Sequence, residues 1–196
     1  MHPKERYEGI LSECKSDLNV LAFIPTGSRA KGLITVNSDW DAFIIVKDKV
    51  EKKYQKKYPF EKYEKLNLTV MGLKKFQNYL KWDGPFRWNR YNFVYAKAVF
   101  DKANKIQRLL DSCRFIPRNF LKKYIEENLG GYTNLVYRSF KNHRDMRFLA
   151  SRMDAIEAVG YFLNAIFALH GRIRPYNKYL EWELDKHPLK KLNVNS

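Results

Sequence analysis

Acidic side chains are scarce in this sequence, and so is cysteine. Its 196 residues carry 21 Asp and Glu against 37 Lys and Arg, a formal net charge of +16, with a pI near 9.7. Such a surface suits anionic company: nucleotide phosphates, nucleic acid or an acidic membrane face. A Lys-rich surface that serves only solubility is the alternative. The two cysteines, Cys14 and Cys113, lie far apart in the chain. Their spacing excludes a disulfide framework and a zinc cluster and fits a reducing compartment. No stretch approaches the roughly 18 consecutive apolar residues of a membrane span, and the N-terminus lacks the uninterrupted apolar run of a signal peptide. A soluble, cytoplasmic protein without membrane attachment is expected. Internal repeats, low-complexity linkers, a Walker-type glycine loop and a Ser-His-Asp constellation are also missing.

What is present is ample core material, with 45% hydrophobic and 15% aromatic residues. Tyr7, Ile10, Leu11, Cys14 and Leu18 recur at helical spacing and predict an amphipathic first helix. VLAFIPT (20–26) reads as a strand ending in a turn at Pro25 and Gly27, AFIIV (42–46) as a second strand and LNLTVM (66–71) as a third. The segment 47–65 reads as a charged surface excursion, GLKKFQNYL and KIQRLLDSC as helices. FRWNRYNFVYAKAVFDK (86–102) admits helix or strand in its second half. Beyond about residue 117 helical patterns take over. Leu135, Met146, Leu149, Met153 and Ile156 share one arc of a helical wheel, and Arg138, Lys141, Arg144 and Arg147 another. IEAVGYFLNAIFAL (156–169) is almost wholly apolar, as in a helix at the middle of a bundle. Gly171 suits its end, and Pro175 the start of the next helix.

Chemistry concentrates in TGSRAKGLITVNSDWD (26–41). If Asp39 and Asp41 lie on the strand they lead into, its two-residue period points both carboxylates to one face, about 6.5–7 Å apart. Such a pair can converge on magnesium, which takes few protein carboxylates and fills its octahedron with water and phosphate oxygens. Gly27 and Ser28 make an opposite jaw, the glycine letting backbone approach a phosphate. Arg29 and Lys31 add positive charge beside it.

The runs G-S-R-A-K-G and S-D-W-D-A-F-I-I-V resemble the signature of polymerase-beta-type nucleotidyltransferases, among them the small aminoglycoside and lincosamide nucleotidyltransferases. WNRYNFVYAKAVFDKANKIQRLLD and LHGRIRPYNKYLEWEL are also similar to that group. The resemblance implies an α+β fold, with a mixed-sheet nucleotidyltransferase domain over 1–115 and a C-terminal α-helical bundle over 116–196 that shapes the acceptor site. It implies that Gly27 and Ser28 hold nucleotide phosphates and that Asp39 and Asp41 bind Mg2+. The reaction implied is attack of an acceptor hydroxyl, aminoglycoside-like, on the α-phosphate of a nucleoside triphosphate such as ATP. The family's third carboxylate is replaced here by Asn67, a weaker metal ligand that cannot act as general base. Either the base comes from elsewhere, activity is weak, or the chain binds nucleotide or RNA without turnover. An antitoxin-like enzyme that adenylylates a protein is a further reading.

The helical half offers a replacement base. Asp154, Glu157, Tyr161 and Asn164 form a polar stripe, and an inward-facing, desolvated Glu157 could take the proton; the stripe is otherwise a solvent face, with Asp154 favouring the helix start. Arg172, Arg174 and Lys178 cluster near the next helix, and Lys178, in a P-x-x-K segment like that of the relatives, is expected to reach the triphosphate.

Overall fold

Strict alternation along one strand sorts the N-terminal core into two layers. In the computed structural model, which describes residues 2–60 and 62–190, the chain divides into two compact units, Met1–Arg114 and Phe115–Ser196. Helix α1 (Pro3–Ser16) starts on Pro3, with His2 and Glu5 closing a capping box that satisfies its first amides. Strand β1 (Val20–Thr26) and the one-turn helix α2 (Gly27–Ala30) follow, then strand β2 (Trp40–Val46). Along β2, Ala42, Ile44 and Val46 join Tyr7, Ile10 and Cys14 of α1, while Phe43 and Ile45 enter the opposite layer. Helix α3 (Glu51–Lys57), strand β3 (Leu66–Gly72), helix α4 (Leu73–Tyr79), the two-residue strand β4 (Phe100–Asp101) and helix α5 (Ile106–Ser112) complete the unit.

The sheet order is β3-β2-β1-β4. β1 pairs antiparallel with β2 and β4, and β2 pairs parallel with β3, so the sheet is mixed and the fold α+β. The second layer centres on aromatic rings: Phe43 to Phe93 at 4.9 Å and Phe76 to Phe93 at 5.5 Å between centroids. Each such edge-on pair adds about 0.5–1.5 kcal/mol beyond area burial. The excursion at 47–65 is not merely surface. α3 is a Lys-rich helix whose Tyr54, with Tyr58 four residues on, is buried in the first layer, one turn apart and therefore on one face. The ambiguous stretch 86–102 forms a 3-10 segment, Arg87–Phe93, and then β4.

The second unit holds helices α6 (Arg118–Arg144), α7 (Phe148–Leu169) and α8 (Leu180–Lys186). α6 and α7 form an antiparallel hairpin tied by polar side chains. Asn142 Nδ2 donates to Asp154 Oδ2 at 2.8 Å, Arg138 pairs with Asp154 Oδ1 at 3.1 Å, and Asn164 Nδ2 donates to Asn128 Oδ1 at 3.0 Å. The helices approach closely at Gly131, where an added Cβ would lie 2.5 Å from the Tyr161 ring. Two expectations are corrected here. The apolar arc from Leu135 to Ile156 is not one helical face, because Met146 adopts φ 59° and the chain reverses; Leu135 is buried while Met146, Leu149, Met153 and Ile156 are exposed. Asp154 does not serve the helix start but neutralises Arg138. The last helix among the described residues begins at Leu180, five residues after Pro175, with a 3-10 turn, Asn177–Tyr179, ahead of it. Among the described residues no helix is long and apolar enough to cross a membrane.

α1 and α3 are joined through carboxylates. Lys57 and Tyr58 bond Glu13, the tyrosine at 2.7 Å, and Tyr54 bonds Asp17. These bonds hold Glu13 below its ordinary 4.5, through Lys57 first and Tyr58 second, and Asp17 below 3.8, through Tyr54 first. Depressed folded-state values mean stability that is present above the ordinary values and is lost as pH falls through the lowered ones. The contribution of these two contacts to thermal stability should therefore be level above about pH 5 and lost in acid. Glu13→Gln is expected to lower that plateau and shallow the acid limb; an unchanged profile would show the contact contributes nothing.

Candidate active site

The end of β1 and the heads of β2 and β3 bring three polar side chains side by side. Register pairs Thr26 with Asp41 across β1 and β2 and Asp41 with Asn67 across β2 and β3, at the roughly 4.8 Å spacing of neighbouring strands. Trp40 packs on the first layer and Phe43 in the second. Asp41 therefore shares a face with Phe43, and Asp39, one residue ahead of the strand, continues the same alternation.

Asp41 is held on both sides. Asn67 Nδ2 donates to its Oδ1 at 3.0 Å. On the other side stands Gly27, in the left-handed region at φ +68°, where an added Cβ would fall 2.3 Å from Asp41 Oδ2. Glycine is thus required for the backbone conformation, and a side chain there would displace the Asp41 carboxylate. Beyond it the chain folds back on itself, with the Leu33 amide donating to the Ser28 carbonyl at 2.9 Å. Ser28 is half-buried and Asp39 exposed. Tyr7 lies near enough for its hydroxyl to be pushed up to about 12, by burial first and the Asp41 charge second.

Arg29 and Lys31 have structural duties. Arg29 donates from Nε to the Asp39 carbonyl at 3.0 Å and from Nη2 to the Ser38 carbonyl at 2.8 Å. Its guanidinium lies 4.1 Å from the Trp40 ring centroid, and Trp40 in turn packs 4.6 Å from Tyr7. This planar fork clamps the loop that delivers Asp39. The Lys31 side chain is buried, its Nζ donating to the Val94 carbonyl at 3.0 Å. Neither placement follows from sequence spacing, since Arg29 and Lys31 look like any cations beside a glycine turn. Tyr7 and Thr26 were likewise missed: an apolar-face tyrosine on α1 and a threonine closing a strand carry no distinguishing pattern.

Glu157 and Lys178 belong to the second unit. Glu157 is exposed on α7, so of the two readings of the stripe the solvent face holds at this position, while Asp154, Tyr161 and Asn164 meet α6. Lys178 is exposed, its Nζ 4.8 Å from the Tyr179 ring centroid. Arg172 bonds the buried Glu183 and the His187 carbonyl, and Arg174 bonds the Gly160 carbonyl and Asn177, so both arginines brace the unit.

The donor set fits one hard dication. Asp39 and Asp41 supply carboxylate oxygens, while Asn67 turns its amide donor toward Asp41 and so serves the carboxylate rather than adding a third negative ligand. Among the described residues no group of three or more His, Cys, Asp or Glu could hold a metal by itself.

Residues 8–116 match the family model of the nucleotidyltransferase domain. No curated protein matches the chain. Among solved structures, a nucleotidyltransferase-like protein from Exiguobacterium sibiricum 255-15 is similar at 14% identity and a TM-score of 0.45, over 94% of this chain and 62% of that one. The chain thus spans about three-fifths of that protein's length.

Gly27 and Gly32 separate strain from collision. Gly32 has φ +73° but nothing within 4 Å of an added Cβ. Gly32→Ala should cost about 1 kcal/mol in urea unfolding, the low end for left-handed strain. Gly27→Ala should cost about 3 kcal/mol, since it also displaces the Asp41 carboxylate. Equal costs would show that Gly27 does not confine Asp41.

Proposed function

Because the chain belongs to the nucleotidyltransferase-domain family of the polymerase-beta-type superfamily, matched over residues 8–116, we propose that it transfers a nucleoside monophosphate from a nucleoside triphosphate, ATP foremost, to an acceptor hydroxyl. The observation that carries this reading is the Asp41 carboxylate fixed between Gly27 and Asn67, with Asp39 two residues before it. Asp39 and Asp41 would hold a magnesium ion, which supplies charge neutralisation to the triphosphate and its leaving group. Gly27, lacking a side chain, leaves its backbone open to phosphate oxygens, and the Ser28 hydroxyl stands beside it. The acceptor hydroxyl gives its proton to water, its oxygen bonds to the α-phosphorus, the bond to the bridging oxygen breaks, and pyrophosphate departs. Asn67 cannot take the acceptor proton, so its part is to orient Asp41. An aminoglycoside-like small molecule is the acceptor class we favour.

Asn67 also supports a second reading: nucleotide or RNA binding without turnover, in line with the +16 charge. The two separate in one experiment with labelled triphosphate, Mg2+ and a panel of hydroxyl acceptors. Turnover in the native chain should fall about a hundredfold or more in Asp39→Asn and Asp41→Asn, with far-ultraviolet circular dichroism unchanged. Asn67→Asp should destabilise the metal-free chain, because it sets a second carboxylate 3.0 Å from Asp41, and Mg2+ should restore that loss. Mg2+-independent nucleotide binding with no transfer would support the second reading and defeat the first.

A further inference from the structure

α6 covers one face of α7 and leaves an apolar strip exposed on the opposite one. Ser151, Asp154, Ala158 and Ala165 are buried on the side that carries the Arg138 and Asn142 contacts. Opposite them, Leu149, Met153 and Ile156 are 76%, 50% and 68% exposed. An exposed apolar strip along a helix calls for cover.

The spacing of these three residues, four and then three, is that of the d, a and d positions of a heptad. In that frame Arg152 takes a g position and Glu157 the e position five residues later, both exposed. When two such helices run parallel, g of one meets the following e of the other, and twofold symmetry makes that contact twice. Antiparallel pairing would instead set Arg152 beside Arg152 and Glu157 beside Glu157. The face is complementary to itself in one orientation. Its flanks carry one charge of each sign per copy, so the seam is locally neutral on a chain of net charge +16. Val159, 54% exposed, widens the apolar strip one heptad after Arg152. Arg174, donating to the Gly160 carbonyl at 3.0 Å, closes the strip at its C-terminal end.

We infer that the chain forms a twofold dimer in which two α7 helices pack parallel, with Leu149, Met153 and Ile156 in the seam and Arg152 of each copy paired with Glu157 of the other. This goes beyond the catalytic reading and does not depend on it. Sedimentation equilibrium of the full chain should give a dimer. Ile156 is exposed in the single chain, so Ile156→Glu should leave circular dichroism and the unfolding temperature of the monomer intact while producing monomer at concentrations where the native chain is dimeric. Arg152→Glu and Glu157→Arg should each weaken the dimer, and the double exchange should restore it, because each copy then again offers opposite charges across the seam. A native chain that stays monomeric at every concentration overturns the proposal. So does a dimer indifferent to Ile156→Glu, or a double exchange no tighter than the single ones.

Discussion

The close contact between Gly27 and the Asp41 carboxylate is the constraint on which the rest of the site depends. A left-handed backbone with no Cβ lets the end of β1 press against the head of β2. Asn67, one strand further on, closes the other side with a hydrogen bond. A carboxylate restrained in this way has lost much of its rotamer freedom before any ligand arrives, which is the kind of preorganisation that favours tight ion and phosphate binding.

Sheet register delivers that arrangement. The antiparallel β1–β2 pairing places Thr26 opposite Asp41, and the parallel β2–β3 pairing places Asn67 beside it. Neither alone would suffice: a one-residue slip in either ladder would turn the polar side chain onto the opposite face. Both ladders are pinned by buried alternation on two sides, with Ile44 and Val46 in one layer and Phe43 and Ile45 in the other. The stack of Tyr7, Trp40 and Arg29 extends the restraint to Asp39, since Arg29 grips the carbonyls of Ser38 and Asp39.

Much of this was legible in the sequence where a local pattern decides the outcome. β1, β2 and β3 announce themselves by period and β-branched content, and Gly-Ser followed by Asp-x-Asp marks the candidate site. Features set by tertiary contact were not legible. α3 hides Tyr54 and Tyr58 among lysines, so a core helix looks like a solvated face. β4 is two residues long, too short for any periodic signal. The reversal at Met146 rests on a left-handed residue that side-chain chemistry does not demand, and without it the arc from Leu135 to Ile156 reads as continuous. Arg29 and Lys31 show in the sequence only as positive charge beside the turn, because charge is visible there and a carbonyl partner is not. The polar stripe is real, but Asp154, Tyr161 and Asn164 meet α6 while Glu157 stays exposed.

The helical unit follows a different logic. Its hairpin is held by buried polar pairs rather than by apolar packing alone, which fixes the pairing of α6 with α7 and leaves the outer side of α7 apolar. The central claim, however, concerns the carboxylates. Crystals grown with manganese and a non-hydrolysable ATP analogue, measured at the manganese absorption edge, test it most directly. The account predicts an anomalous peak bonded to Asp39, Asp41 and a phosphate oxygen, with the triphosphate against Gly27 and Ser28. Nucleotide bound elsewhere, or bound there with no peak at the two aspartates, would contradict it.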